Sequence, residues 1–159
     1  MTSATEVRVP APVEQLRLLD RIDYQDAYTV RTEAARTPEQ WMRAFLEGAP
    51  RWFQLPWAGL GKALLGAKFG PVNPTPGYVL GWKILHRSAE SFVVGLDSSA
   101  GLRARLIAMT PPGQALIATQ IELDTAYART SWSVIPRGHR FFAPYLLRRA
   151  AQAHPHTKT

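Results

Sequence analysis

Two titratable residues, distant in the sequence, could exchange protons with a bound molecule. His139 stands next to Arg140 at the expected start of the last helix, and Asp26 shares a strand face with Tyr24 and Tyr28. Histidine takes up and releases protons near neutral pH, and burial disfavours the charged form of a carboxyl group. We therefore take His139 and Asp26 as candidate catalytic residues. The alternatives are a histidine that ties a loop to the helix and an Asp that makes turn or cross-strand contacts.

Aromatic residues supply the second chemical signal, because five Trp offer wide apolar surfaces with one N–H donor each. Trp82 and Trp132 fall on strand faces that we expect to point inward. A cavity lined by aromatic groups and a few polar anchors is typical of a small-molecule site. An ordinary core is the alternative. The remaining candidate ligand-binding residues are polar or aromatic: Tyr24, Tyr28, Thr119, Thr130, Phe142 and Tyr145.

The sequence contains no pattern for a metal site or a nucleotide cofactor, and we predict neither. The absence of Cys excludes disulfides and thiolate chemistry. His154 and His156 have no further ligands nearby in the sequence. Gly59-Leu60-Gly61 lacks the spacing and the strand–helix setting of a dinucleotide fingerprint, and there is no Walker A motif.

The charge pattern is basic but scattered. The net charge is +7, and the densest run of basic residues is Arg137, Arg140, Arg148 and Arg149. No stretch interleaves basic and aromatic residues as a platform for single-stranded nucleic acid does. We expect a solvated basic face in preference to a nucleic-acid site, because charge alone gives only non-specific affinity.

Hydropathy predicts a protein that does not insert into a membrane. No window approaches the roughly 18 consecutive apolar residues of a spanning helix, and residues 1–14 lack the apolar core of a signal peptide. We expect a cytoplasmic location. Residues 1–15, with Pro10 and Pro12, are predicted to form a flexible arm, residues 16–153 a single domain, and residues 154–159 a frayed tail.

Two helical segments are predicted after a first strand at residues 22–31. Thr37 has the chemistry of an N-cap, Pro38 suits the first helical position, and Gln40 completes a capping box. This helix should end at Gly48 and Pro50. A second, apolar helical segment is expected over residues 52–65, where prolines and glycines would shorten or bend it.

Five further strands are predicted over residues 78–86, 92–97, 102–110, 115–123 and 126–135. Their short connections require antiparallel neighbours. A final helix is expected over residues 138–153, with Pro144 either opening its main part or kinking it. The sequence thus predicts an α+β fold, in which a curved antiparallel sheet of about six strands wraps around a long C-terminal helix, with two short helices after the first strand. This arrangement would leave an apolar cavity.

This order of elements resembles the helix-grip, START-like (SRPBCC) superfamily, which includes Bet v 1-like allergens, polyketide cyclases and aromatases, and lipid-transfer domains. The resemblance covers about residues 19–151. It implies an incomplete barrel around a helix with a cavity between them, and it implies no particular reaction. Local strings are similar to an uncharacterised bacterial branch of that superfamily: DYQDAY at 23–28, PEQW at 38–41, GWKIL at 81–85, VIPRGHR at 134–140 and LLRRAA at 146–151.

Three functions follow as hypotheses. The first is binding of a hydrophobic or aromatic small molecule in the cavity between the sheet and the C-terminal helix. The second is a cofactor-independent enzyme of cyclase, aromatase or dehydratase type that uses the same cavity, with His139, Asp26 or a Tyr in acid–base roles. The third is a basic interaction module whose interior is filled by side chains and whose basic helix end contacts an acidic partner or nucleic acid.

Overall fold

The protein is an α+β structure built on a curled, open antiparallel sheet of seven strands. The computed structural model describes residues 3–55, 59, 62, 66, 68–71, 73, 75–133 and 136–152. Across the sheet the strand order is β1-β2-β7-β6-β5-β4-β3. The strands are β1 (Ala4–Val7), β2 (Tyr24–Arg31), β3 (Tyr78–Val79), β4 (Trp82–Arg87), β5 (Ser91–Asp97), β6 (Leu102–Met109) and β7 (Gln114–Leu123).

The helices lie between and after these strands. They are α1 (Ala11–Glu14), α2 (Pro38–Glu47), α3 (Ala126–Trp132) and α4 (Pro136–Gln152). Residues 51–55 are also helical, as predicted for the start of the second helical segment, and much of the rest of that segment lies outside the described residues. The predicted tail at 154–159 lies outside them as well. Within the described part of the chain, none of the helices combines the length and the apolar character that spanning a bilayer requires.

The start of α2 confirms the capping prediction in detail. The Thr37 hydroxyl accepts a hydrogen bond from the Gln40 backbone N–H at 3.2 Å, and the Gln40 side chain accepts one from the Thr37 N–H at 2.9 Å. Both bonds satisfy donors that a helix start otherwise leaves open. The helix then buries Trp41, Met42 and Phe45 in the main core.

The prediction of one long strand at 78–86 is wrong, because these residues form a hairpin of two strands. Leu80 and Gly81 have φ of +47° and +83°, and positive φ at both central residues matches the twist of a two-residue hairpin turn. The chain reverses there, so Val79 pairs with Trp82 and Tyr78 with Lys83. The other strands confirm the antiparallel prediction within one or two residues at their ends.

The prediction of a strand at 126–135 is also wrong, because residues 126–132 form the helix α3. Thr125 caps this helix by accepting a hydrogen bond from the Ala128 N–H at 3.0 Å. β7 pairs with β2 on one side and with β6 on the other. A strand that directly followed β7 therefore could not pair with it. An N-cap and good helix formers such as Ala and Arg then favour a helix. Residues 134–135 lie outside the described residues.

The last helix, α4, confirms the prediction for the C-terminus and begins two residues earlier than expected. Pro144 lies inside it, so the main part of the helix does not open there. Leu146, Leu147 and Ala150 are buried together with α2 residues and with inward-facing residues of the sheet. The helix contacts β1, β2 and α2, so it lies against the inner face at the β1–β2 side of the sheet.

The N-terminal segment, for which we predicted a flexible arm, contains ordered secondary structure. β1 pairs with β2 from Ala4 opposite Val30 to Val7 opposite Ala27. Val9 and Val13 are buried with outward-facing residues of the sheet, including Ile107 and Ala118. The segment therefore covers apolar surface on the outer face of the sheet.

We expect Val13→Ala to lower the free energy of unfolding by roughly 2 kcal/mol, because Val13 is fully buried and two carbon atoms are removed from packed surroundings. Urea denaturation monitored by circular dichroism measures this change. Gln15→Ala, at an exposed position in the same segment, is the control and should have little effect. Equal stability of the two variants would show that the segment is not packed on the sheet.

Candidate functional site

The two candidate catalytic residues meet in the structure, although 113 positions separate them in the chain. Asp26 lies on the inner face of β2 and is buried, and His139 lies in the first turns of α4. The His139 Nε2 is 3.1 Å from Asp26 Oδ2 and 3.3 Å from Oδ1. β2 and α4 thus bring an imidazole and a carboxyl group into direct contact.

Tyr24 is the second partner of the Asp26 carboxyl group. Its hydroxyl donates to Asp26 Oδ2 at 2.6 Å, and the Arg140 Nε donates to the same hydroxyl at 3.4 Å. Burial and the hydrogen bond to Asp26 raise the pKa of Tyr24 far above its usual value. The hydrogen bond to Tyr24 raises the pKa of Arg140. Tyr24 therefore stays a neutral donor, and Arg140 stays a cation at the edge of the group.

Trp132 forms an aromatic wall beside this polar group. Its ring centroid is 5.2 Å from that of Tyr24, in an edge-to-face arrangement, and 6.4 Å from that of His139. The sequence predicts Trp132 on a strand. In the structure it reaches this position from the last turn of α3. The residue lies at the site although the element predicted to carry it is different.

Among the described residues, two donors in this region have no hydrogen-bond partner. The Tyr28 hydroxyl and the Trp132 Nε1 are both buried and unpaired among the described residues. Tyr28 follows Asp26 by two residues, so both side chains extend from the same face of β2. Burial and the nearby Asp26 charge raise the pKa of Tyr28 to about 12. An unmade hydrogen bond costs roughly 1–3 kcal/mol, so such groups require an explanation.

Trp41 Nε1 and Glu122 Oε2 are also buried without a partner. Trp41 comes from α2 and packs in the same apolar cluster as Tyr28. Glu122 is the second-last residue of β7 and lies opposite Arg103 of β6, on the other face of the sheet from Asp26 and Thr119. Sequence reasoning did not select Trp41, since an apolar helix face gives no signal that an indole N–H is left unpaired.

The other predicted ligand-binding residues occupy varied positions. Thr119 is buried directly opposite Asp26 in the pairing of β7 with β2. Trp82 is half-buried and packs against two core clusters. Phe142 packs on Phe53 with ring centroids 4.5 Å apart. Tyr145 is half-buried, with the Arg148 guanidinium 5.9 Å from its ring centroid.

Thr130 does not join this group. We expected it on the inner face of a strand, but it is an exposed residue of α3 whose hydroxyl donates to the Ala126 carbonyl at 2.9 Å. The expectation fails because the segment is helical. In a helix, a Thr commonly turns its hydroxyl back to the carbonyl four residues earlier.

The arrangement can move a proton. The Asp26 carboxylate only accepts hydrogen bonds, so His139 donates through Nε2–H and presents Nδ1 as an acceptor in its neutral form. A carboxylate that orients an imidazole in this way is a common feature of general acid–base sites. Within the described residues, no group of three or more His, Asp or Glu side chains is placed to hold a metal ion.

Comparisons with known proteins assign no family. No protein-family model matches the chain, and neither does any curated protein. Among solved structures, the chain is similar to the crystal structure of CalU16 from Micromonospora echinospora, with 10% identity and a TM-score of 0.30. The match covers 94% of this chain and 91% of that one. A TM-score of this size does not establish a shared fold, so the superfamily resemblance stays a prediction.

Removing the hydroxyl group of Tyr24 or of Tyr28 tests which of the two tyrosines uses its hydroxyl in a stabilising hydrogen bond. We expect Tyr24→Phe to lower the free energy of unfolding by roughly 2 kcal/mol, because Asp26 loses a charge-assisted hydrogen bond. Tyr28→Phe should leave stability within about 0.5 kcal/mol of the parent or raise it, because its hydroxyl has no partner to lose. Urea denaturation at pH 7 measures both. A comparable loss in the Tyr28→Phe variant would mean that its hydroxyl is already paired.

Proposed function

We propose that this protein binds a small hydrophobic or aromatic molecule between the sheet and α4, in the helix-grip arrangement of START-like proteins. The proposal depends on two buried donors that are unpaired among the described residues. The Tyr28 hydroxyl comes from the same face of β2 as Asp26, and the Trp132 ring lies 6.4 Å from that of His139. Aromatic rings and apolar side chains around these donors would supply affinity through burial. A hydrogen-bond acceptor of the ligand, such as a carbonyl oxygen, would pair with the spare donors and set its orientation.

The arrangement of α4 supports this proposal. Its buried residues face the same apolar cluster that contains Tyr28, while His139 in its first turns contacts Asp26. An apolar region and a polar group therefore lie along one helix. A ligand with an apolar body and one polar end matches that order.

Two naphthalenes of nearly the same shape test the proposed binding. We expect 2-acetylnaphthalene and 2-ethylnaphthalene both to bind the parent protein in isothermal titration calorimetry. Tyr28→Phe should weaken binding of the ketone about fivefold, the value of roughly one net hydrogen bond, and should leave binding of the ethyl compound unchanged. Tyr78→Phe, in β3 at the far edge of the sheet, is the control and should change neither affinity.

The outcomes separate the parts of the proposal. If neither naphthalene binds, the interior is filled and the hypothesis of a basic interaction module takes its place. If both bind and Tyr28→Phe weakens both equally, Tyr28 contributes packing and not a hydrogen bond to the ligand.

A second function, acid–base catalysis in the same site, is favoured by the contact between His139 and Asp26. His139 Nδ1 would take a proton from a carbon next to a ligand carbonyl. The donors of Tyr28 and Trp132 would stabilise the negative charge that forms on the carbonyl oxygen. Such a step belongs to cyclase, aromatase and dehydratase reactions alike, and it needs no cofactor.

The acetyl protons of 2-acetylnaphthalene test this second function, because they exchange very slowly with neutral water. We expect the parent protein to replace them with deuterium in heavy water, as followed by the loss of the methyl signal in proton NMR. His139→Gln should slow the exchange at least about 100-fold while binding persists. His86→Gln, at an exposed strand position, is the control. If the exchange rate with the parent protein is no higher than in buffer, the proposed catalysis is wrong. The binding proposal is not affected by that result.

A further inference from the structure

Four aromatic rings in successive contact form a run whose two ends lie at the surface. Trp52 contacts Phe53, Phe53 contacts Phe142 of α4, and Phe142 contacts Phe141, with ring centroids 4.5–6.3 Å apart. The two ends of the run are exposed, with Trp52 at 64% and Phe141 at 68% of full accessibility. Leu55, one turn beyond Trp52, is 72% exposed. We call Trp52, Leu55 and Phe141 the apolar surface cluster.

Large side chains so exposed require a reason. Single apolar residues on a surface are ordinary, but connected groups of them mark interaction sites. Tryptophan and phenylalanine contribute the most apolar area per residue, and here the ring run joins two separate helical segments. Packing among the described residues does not cover its exposed ends.

The sequence segments that contain this cluster are basic. The chain has no Asp or Glu between Glu47 and Glu90, and none after Asp124. The whole apolar surface cluster comes from these two acid-free stretches. They contain eleven basic residues: Arg51, Lys62, Lys68, Lys83, Arg87, Arg129, Arg137, Arg140, Arg148, Arg149 and Lys158.

Parts of the two acid-free stretches, residues 48–53 and 142–149, are in contact. The Arg149 Nε donates to the Gly48 carbonyl at 3.0 Å, and Phe142 packs on Phe53. On α4, Phe141 and Arg148 are seven residues apart and therefore on the same side of the helix, and both are exposed. Arg51 is exposed next to Trp52. Apolar and cationic groups thus share one surface.

We propose that this surface docks the protein on the face of a lipid bilayer that contains anionic lipids. Tryptophan favours the membrane–water interface, exposed Leu and Phe side chains can enter the boundary between headgroups and acyl chains, and arginines near the surface are attracted to anionic headgroups. Neither stretch contributes a carboxylate, and the neighbouring Glu47 pairs with Arg43 at 3.1 Å. The protein would lie on the bilayer and not cross it, and this holds whether or not the site under α4 binds a ligand.

The basic charge alone would also attract nucleic acid, but the apolar surface cluster favours lipid. Leu55 is the most exposed of its residues and has no flat ring on which a base could stack. A nucleic-acid groove instead combines a track of cations with successive stacking rings. The cluster therefore matches a partner that is apolar just beneath a layer of negative charge.

Vesicle sedimentation tests the proposal with the full chain. We expect the parent protein to sediment with vesicles of 70% phosphatidylcholine and 30% phosphatidylglycerol at 100 mM NaCl, and much less with pure phosphatidylcholine vesicles. The double substitution Trp52→Ala with Phe141→Ala should weaken binding at least about tenfold, because two apolar anchors are lost. The double substitution Ile22→Ala with Leu85→Ala removes two exposed apolar residues outside the ring run and should leave binding unchanged.

Three results would overturn the proposal. The first is no sedimentation of the parent with anionic vesicles. The second is equal loss of binding in the two double variants, which would mean that the apolar surface cluster is not the contact. The third concerns a 20-mer single-stranded DNA, whose binding is measured by fluorescence anisotropy at the same salt concentration. The proposal fails if the Trp52→Ala and Phe141→Ala double substitution abolishes DNA binding but leaves vesicle binding intact. Circular dichroism of each variant confirms that it is folded.

Discussion

The burial of the Asp26 carboxyl group is the constraint on which the rest of the site depends. A buried carboxylate is costly unless hydrogen bonds and nearby donors compensate for the water it has lost. Tyr24 supplies one donor from the same strand, and His139 supplies another from α4. Because the second donor comes from the last helix, the position of α4 along β2 is fixed by the same atoms that form the candidate site.

The spare donors of Tyr28 and Trp132 extend this argument from stability to function. Within the described residues, the fold pairs the Tyr24 hydroxyl but leaves the Tyr28 hydroxyl two residues away unpaired. A protein that only had to be stable would do as well with phenylalanine there. Sites that bind ligands commonly retain such locally unfavourable groups, since the partner arrives with the ligand.

Local chemistry in the sequence predicted much of the fold, and long-range pairing limited the rest. The capping box at Thr37 and the alternation in β5, β6 and β7 depend on near neighbours, so they could be read directly. The segment after β7 alternates small and larger residues as a strand does, but no sheet edge is open to it, and only the pairing of β7 on both sides reveals this.

The candidate site was predicted residue by residue but not as an arrangement. His139 and Asp26 were each chosen for their chemistry, yet nothing in the sequence places an imidazole near a carboxyl group 113 positions away. Likewise, Trp132 was expected on an inward strand face, and it contributes its ring from a helix. Composition identified the participants, while the topology of β2, α3 and α4 determined which of them meet.

The order of the strands also bears on how the protein behaves in a crowded solution. The outermost strands are β1 and β3, and they contain only four and two residues. An exposed strand edge offers unpaired backbone groups to a strand of another molecule, and long edges promote aggregation. Here the long strands β6 and β7 are paired on both sides, and β1 covers Ala27–Val30 of β2. The short N-terminal strand therefore shields this part of β2 from association with other chains.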